Sequence, residues 1–292
     1  MMASRSIVLV TCEMWPNLYA SDQALADELV ARGHTVRVRS WNRAPLTAFT
    51  DAEIVVLRAN WDFHHDLSAF TAWLDAVESS GALLVNPAPL VGDYLDKSYL
   101  IRLQRLGLPT PATLLVEDLD DTEVDRWLEE HSIDRFVLKP AWGASGHGVE
   151  LISIDELDVA RNRWLSETDR RHVIVQEFAP AIHDGERSLV FFEGTYSHAL
   201  LRSPGSGEFR INSKYGGTMS LATDIDASMI ELGERVAATF SVPATYARID
   251  MVGRGDDLVL MEVEVNEPAL GLDLAPGSAA AFADAILAAA SP

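Results

Sequence analysis

The first ninety residues alternate between two hydrophobic periods, and no other feature restricts the possible folds as much. "SIVLVT" is an unbroken apolar run of strand length. "SDQALADELVARGHTVRVRSW" then carries Leu25, Leu29 and Val30 at helical spacing, stops at Gly33 and resumes as an alternating strand. "AEIVVLRANW" reads as another buried strand, "LSAFTAWLDAVESSG" as an amphipathic helix closed at Gly81, and "ALLVNP" as a further strand. Strands separated by helices pair in parallel, which predicts a Rossmann-like lobe over residues 1–90. Its first turn, "TCEMWPN", has no glycine, so a dinucleotide site is not expected there.

The pattern changes beyond this lobe. "DKSYLIRLQRLGLP" is a helix closed by Gly107 and Pro109, "TPATLLVED" begins a strand, and "LDDTEVDRWLEEHS" is an acidic, solvated helix. After the helix "IDELDVARNRWLSE" come strands at "HVIVQEF", "ERSLVFFEGTYSHALLRS" and "EFRINS". The helix "ASMIELGERVAATF", the strands "ATYARIDMV" and "DLVLMEVEVNEP", and a closing helix "PGSAAAFADAILAAA" complete the chain. At 292 residues it can hold two or three lobes. No apolar run reaches the roughly 18 to 20 residues of a membrane helix, so no membrane partner is expected. The single Cys12 rules out an internal disulfide and fits a reducing compartment, which predicts a cytoplasmic protein.

Charge narrows the partners. There are 23 basic and 44 acidic residues, a formal charge of −21, which argues against a nucleic-acid partner. Where basic residues gather, they are therefore informative.

Four short stretches could carry chemistry. In "VLKPAWGASGHGVELI", Lys139 ends a strand and Gly143, Ser145, Gly146 and Gly148 form a flap before the next strand. Glycines let backbone approach phosphates, and the alternative is a plain glycine hairpin. "VIVQEFAP" is a buried strand turning polar at Gln176, Glu177 and Phe178, able to offer backbone groups to a purine edge or simply a strand end. In "LMEVEVNEP", Glu262, Glu264 and Asn266 share one face of a strand, with Val263 and Val265 on the other. Repulsion along such a row is relieved by a hard cation, and Asp250 on the preceding strand can complete a set for Mg²⁺ or Mn²⁺; a solvated edge is the other reading. Finally, "LLRSPGSGEFRINSKYGG" gathers Arg202, Arg210 and Lys214 ahead of Gly216 and Gly217. Arginine forks suit carboxylate and phosphoryl oxygens, although a surface loop could also scatter them.

In this order the four stretches resemble the ATP-grasp superfamily, nearest the branch of glutathione synthetase and the ligase that adds glutamate to ribosomal protein S6. The resemblance spans about residues 1 to 290. It implies an α/β protein with α+β lobes: the Rossmann-like lobe at 1–90 and an ATP-grasp domain at 91–292. That domain would have a small mobile lid at 110–175 and a mixed sheet in the C-terminal lobe. It also implies that Lys97 and Lys139 contact nucleotide phosphates, that the glycine flap covers them, and that Gln176, Glu177 and Phe178 hold adenine. Glu186 falls at the ribose-binding acid, Arg210 at the phosphoryl clamp, and Asp250 with the "EVEVN" strand at the metal set. Glu262 with Glu264 and Glu264 with Asn266 both fit that set.

The chemistry implied is attack of a substrate carboxylate on the γ-phosphate, then of an amine on the resulting acylphosphate. Lys97, Lys139, Arg202, Arg210 and magnesium would offset charge while the flap excludes water. No Ser–His or Cys–His pair is required, and Cys12 reads as a buried strand end. Substrate residues are expected at strand ends of the first lobe and in the arginine loop: Glu13, Trp15, Asn17, Arg58, Asp62, Lys214, Gly216 and Gly217. Trp15 and Trp61 can equally serve as packing between lobes, and His64 and His65 as solvated residues. Acids beside an arginine suggest a small amino-acid-like zwitterion. "VTCEMWPNLYASDQ" and "RSPGSGEFRINSKYGGT" are most similar to the cyclo-ligases that close O-amino-D-serine into D-cycloserine. An intermolecular ligase, a phosphotransferase and a nucleotide sensor stay open beside it. Homo-oligomers are what the resemblance suggests for quaternary state.

Overall fold

The computed structural model describes residues 4–117, 119, 122–166 and 172–291; parts of the expected lid range, at 118, 120–121 and 167–171, lie outside the described residues. The elements run β1 (Ser6–Thr11), α1 (Ala20–Ala31), β2 (Thr35–Ser40), α2 (Thr47–Thr50), β3 (Ile54–Ala59), α3 (Leu67–Ser79), β4 (Leu83–Val85), α4 (Ala88–Leu95) and α5 (Tyr99–Arg105). Next are β5 (Thr113–Val116), α6 (Thr122–Glu130), β6 (Arg135–Pro140), β7 (Glu150–Ser153), α7 (Leu157–Ser166) and β8 (Val173–Glu177). The chain finishes with β9 (Glu186–Phe192), β10 (Thr195–Ser203), β11 (Thr218–Leu221), α8 (Ala227–Ala237), β12 (Tyr246–Val252), β13 (Val259–Glu264) and α9 (Ser278–Ala289).

The N-terminal strands form the expected parallel sheet, in the order β2-β1-β3-β4. β1 and β3 are buried almost throughout because helices cover both faces; β2, on the edge, alternates between exposed and half-buried positions. A second, antiparallel sheet, β5-β8-β6-β7, carries the glycine flap between β6 and β7. It has a core of its own, with Val124, Leu128, Phe136, Leu138, Ile152 and Trp164 among its members.

The third sheet, β11-β10-β9-β12-β13, positions the chemistry. All of its pairings are antiparallel, where a mixed sheet was expected. The reason lies in α8, which carries the chain from edge strand β11 across to β12, so that β12 enters against β9 head to tail. Alternation then divides its residues. Leu189 and Phe191 of β9 and Ala247, Ile249 and Met251 of β12 pack with α4, α5 and α8. Val190, Phe192 and Tyr246 point the other way, into a core shared with Ile7, Leu9, Val85 and Phe282. The polar residues two apart from these, Glu186, Ser188, Arg248 and Asp250, therefore face the N-terminal sheet and the lid sheet.

Two buried polar residues bind the sheets together. Asn86, fully buried, donates from Nδ2 to the carbonyls of Tyr246 and Val265, both at 2.8 Å, and its Oδ1 accepts from Thr245 N–H at 2.7 Å. Arg58 donates from Nε to Asp22 at 2.7 Å and from Nη2 to the Pro268 carbonyl at 2.6 Å, under the rings of Tyr246 and Phe282.

"EFRINS" is not a strand; it lies in the loop between β10 and β11. Its alternating polarity suits a strand, but the glycines around it close the chain into a tight loop. A Cβ on Gly217 would lie 2.0 Å from the Ile211 carbonyl oxygen. Among the described residues, no helix is long and apolar enough to cross a membrane.

Candidate active site

Strand register assembles the site's charged centre. Asp250 on β12 stands opposite Glu262 of β13 on one side and Ser188 of β9 on the other, and Arg248 stands opposite Glu264. Carboxylate oxygens of Asp250, Glu262 and Glu264 all lie within 4.8 Å of one another. Three hard oxygen donors at that separation fit a small divalent cation such as Mg²⁺ or Mn²⁺. Asn266, past the end of β13, is instead turned to the N-terminal sheet, its Oδ1 accepting from Asn60 Nδ2 at 2.8 Å.

Cations already surround this row. Arg248, buried under the sheet, donates to both oxygens of Asp250, at 2.8 and 2.7 Å, and to Glu264. Arg202 reaches Glu186 at 3.2 Å and Asp250 at 3.4 Å. Lys97 is paired with Glu262. Burial works against the Lys97 charge, but Glu262, backed by Glu264 and Glu267, holds its pKa above the ordinary value. Glu264, Glu186 and Glu267 are all pushed up, by burial first; Arg248 partly counters this for Glu264, while Asp250 adds to it at Glu186 and Glu264 at Glu267. Acids held this far from their ordinary range mark a place that accommodates further positive charge.

Lys139 arrives from the lid sheet. Its Nζ donates to Gln176 Oε1 at 2.9 Å, and Gln176 Nε2 donates onward to Thr113 at 2.9 Å. Burial, then repulsion from Lys97, lowers its pKa to about 8. Phe178 packs into a small apolar cluster with Ile182 and Val252, flanked by Val137, Leu151 and Met261, between the lid sheet and the large sheet. The backbone N–H groups of Glu177 and Phe178 are donated to the carbonyls of Ala112, at 2.9 Å, and Arg135, at 3.1 Å. These two donors, expected to be open to a purine edge, are therefore engaged within the protein. Glu177 is exposed.

The flap lies against both neighbouring parts of the molecule. Ala144 packs on the core of the N-terminal sheet, and His147 lies with its ring centre 6.2 Å from that of His64. Ser145, Gly146 and Gly148 all have positive φ, which Gly146 and Gly148 adopt without a Cβ penalty. Arg210 sits apart from the carboxylate row. It pairs with Glu208 at 2.6 Å, lies 3.7 Å from the Tyr215 ring centre and donates to the Val149 carbonyl at 3.5 Å. Lys214, Gly216 and Gly217 belong to the same loop, with Lys214 exposed.

The expected substrate residues of the first lobe divide sharply. Arg58 does not line the site: buried against Asp22 and backbone carbonyls, it is part of the joint between sheets. Asp62 likewise is spent inside the lobe, accepting from Trp41 Nε1 and Asn42 Nδ2, both at 2.8 Å. Glu13 is an exposed partner of Arg43, and Asn17 is exposed. Trp15 packs edge-on against Trp61 at 5.6 Å, and Trp61 donates to the Glu267 carbonyl at 2.9 Å, beside the acid row. Cys12 is fully buried and its thiol is pushed up to about 11, chiefly by burial, so it offers no nucleophile. Arg248, Glu267, Asn60 and Tyr215 were not anticipated. Arg248 could have been, since it stands two residues before Asp250 on the same strand face.

Comparison with known proteins adds relatives to this geometry. Residues 100–273 match the family model of the prokaryotic glutathione synthetase ATP-grasp domain, and residues 7–86 that of the D-cycloserine synthetase DcsG N-terminal domain. The chain is 27% identical over 269 residues to the cycloserine biosynthesis protein DcsG of Streptomyces lavendulae, covering 87% of this chain and 88% of that one. It is 25% identical over 281 residues to glutathione synthetase of Ralstonia nicotianae, covering 91% and 80%. The crystal structure of D-cycloserine synthetase DcsG superposes with a TM-score of 0.84 at 25% identity, covering 98% and 99% of the two chains. D-alanine--D-alanine ligase from Bacillus anthracis, at 14% identity and a TM-score of 0.70 over 99% and 97%, shares the fold.

Proposed function

Because the chain belongs to the ATP-grasp ligases, enzymes that form C–N bonds, we propose that it closes O-amino-D-serine into D-cycloserine, releasing ADP and phosphate. The support that carries this reading is the match of residues 7–86 to the N-terminal domain of D-cycloserine synthetase, since ligands of such lobes bind at strand ends. The relative named for cycloserine biosynthesis aligns over most of both chains.

In this reaction a carboxylate oxygen of the substrate attacks the γ-phosphorus of ATP and ADP departs. The aminooxy nitrogen of the same molecule then attacks the acylphosphate carbonyl, phosphate leaves and the nitrogen loses a proton. The product is lighter than the substrate by one water. Lys97, from the turn between α4 and α5, and Lys139, from β6, converge where phosphate charge must be neutralised. Gln176 fixes the Lys139 ammonium, and Arg202 and Arg248 hold Glu186, Asp250 and Glu264 in place. Asp250, Glu262 and Glu264 would hold the divalent ion, which supplies charge neutralisation at the transferring phosphoryl group. The flap keeps water from the acylphosphate.

The test is ADP and phosphate release with Mg²⁺ and O-amino-D-serine alone, with mass spectrometry of the product. Release with a product one water lighter supports ring closure. Amide formation only after a second amine is added would replace this reading with a two-substrate ligation. ATP binding without any turnover would leave neither.

A further inference from the structure

We propose that Tyr215 is a positioning residue that ties the glycine flap to Arg210, so that flap closure and arginine placement occur together. The inference rests on the ligase reading above, in which water must be kept from an acylphosphate.

The contacts form one continuous chain. Tyr215 Oη donates to the Gly146 carbonyl at the flap's turn, at 3.2 Å, while the other side of its environment is the Arg210 guanidinium, 3.7 Å from the ring centre. At that distance the cation stacks on the aromatic face. Gly146 is also where the approach is closest: a Cβ there would lie 3.2 Å from Tyr215 Cε2 and 3.8 Å from Arg210 Cδ. Glu208 fixes the arginine from outside, its carboxylate also accepting the backbone N–H groups of Phe209 at 2.8 Å and Arg210 at 3.1 Å. The Arg210 Nε, buried and without a partner among the described residues, remains the donor open to an anion.

Tyr215 is itself held firmly. Asn212 caps the short turn that carries it, accepting from Lys214 N–H at 2.9 Å. Gly205 and Gly217 pack so closely on that turn that a Cβ at either would collide with backbone. A rigid ring placed between the flap and the arginine transmits the position of one to the other. An open flap removes the hydroxyl's acceptor and loosens the platform under Arg210.

The test uses the full chain and the variants Tyr215→Phe, which keeps the ring but removes the hydroxyl, and Tyr215→Leu, which removes both. Hydrogen exchange of residues 141–149 in the ligand-free enzyme should rise roughly fivefold in the Phe variant, as for loss of one hydrogen bond, and further in the Leu variant. ADP released per amide formed should exceed that of the wild type in both, more so in Leu, with unchanged melting temperatures. Unchanged flap exchange in both variants would overturn the proposal, as would raised exchange with wild-type ADP-to-amide coupling. If the wild type makes no amide from O-amino-D-serine, the substrate assignment fails. Flap exchange and ATP hydrolysis without acceptor then decide the role of Tyr215.

Discussion

Lys97 and Lys139 face the same acid row but occupy opposite electrostatic situations. Lys97 is clamped by Glu262, whereas Lys139, among the described residues, donates to a neutral amide and is lowered to about 8 by burial and by Lys97. Below that value Lys139 carries its charge, and as pH rises through it the ligand-free enzyme loses the charge that would meet ATP. The KM for ATP should therefore climb between about pH 7 and pH 9.5, and Lys139→Arg, which does not titrate there, should flatten the climb. Steady-state titrations of both proteins across that range check this, and parallel curves would refute it. Lys139→Ala or Glu264→Ala should reduce turnover by at least about a hundredfold, the cost of losing one preorganised charge contact. Unchanged circular dichroism would show that the fold persists, and near-wild-type turnover in both variants would remove these residues from the site. The acid row was legible in the sequence because strand alternation alone sets it. The internal partners of Arg58 and Asp62, Asp22 on α1 and Trp41 after β2, were not legible because they lie elsewhere in sequence, and no local period reveals such pairing.

Most helices and strands of the sheets were legible for the same periodic reason; α4 and the short strand β11 were not, nor was the β10–β11 loop, whose alternating polarity imitates a strand while close glycine approaches such as Gly217 to Ile211 fold it back on itself. The joint between β3, α1 and the segment after β13 is where elements depend on each other most. Removing one partner of a buried ion pair strands the other, at a cost of about 3–5 kcal/mol. Asp22→Ala should lower stability by that amount in urea denaturation while leaving the KM for ATP near wild type. The double replacement Asp22→Leu with Arg58→Met should recover most of the loss, as expected for an isosteric apolar pair. A single variant that leaves stability intact and raises the KM for substrate instead would return Arg58 to a binding role.

Across the whole molecule, the way apolar residues divide into separate cores sets what can move separately. The N-terminal sheet and the large sheet share Ile7, Leu9, Val190, Tyr246 and Phe282, so neither can lose structure without exposing the other. Both should unfold in a single transition, with amides of β1, β9 and β12 reaching the same limiting free energy of exchange. Distinct limiting values for β1 and β9 would separate them. The lid sheet encloses its own apolar residues, from Val116 to Val175. It is joined to the rest by two short connections, before β5 and after β8. A unit with a private core and two adjacent seams is exchangeable. A foreign lid from another member of the family could be spliced in at those seams with its own core intact, provided it reproduces the contacts of Val137 and Leu151 with the large sheet and of Ala144 with the N-terminal core. Descent could then revise the sheet that carries the glycine flap while the N-terminal lobe stayed as it was.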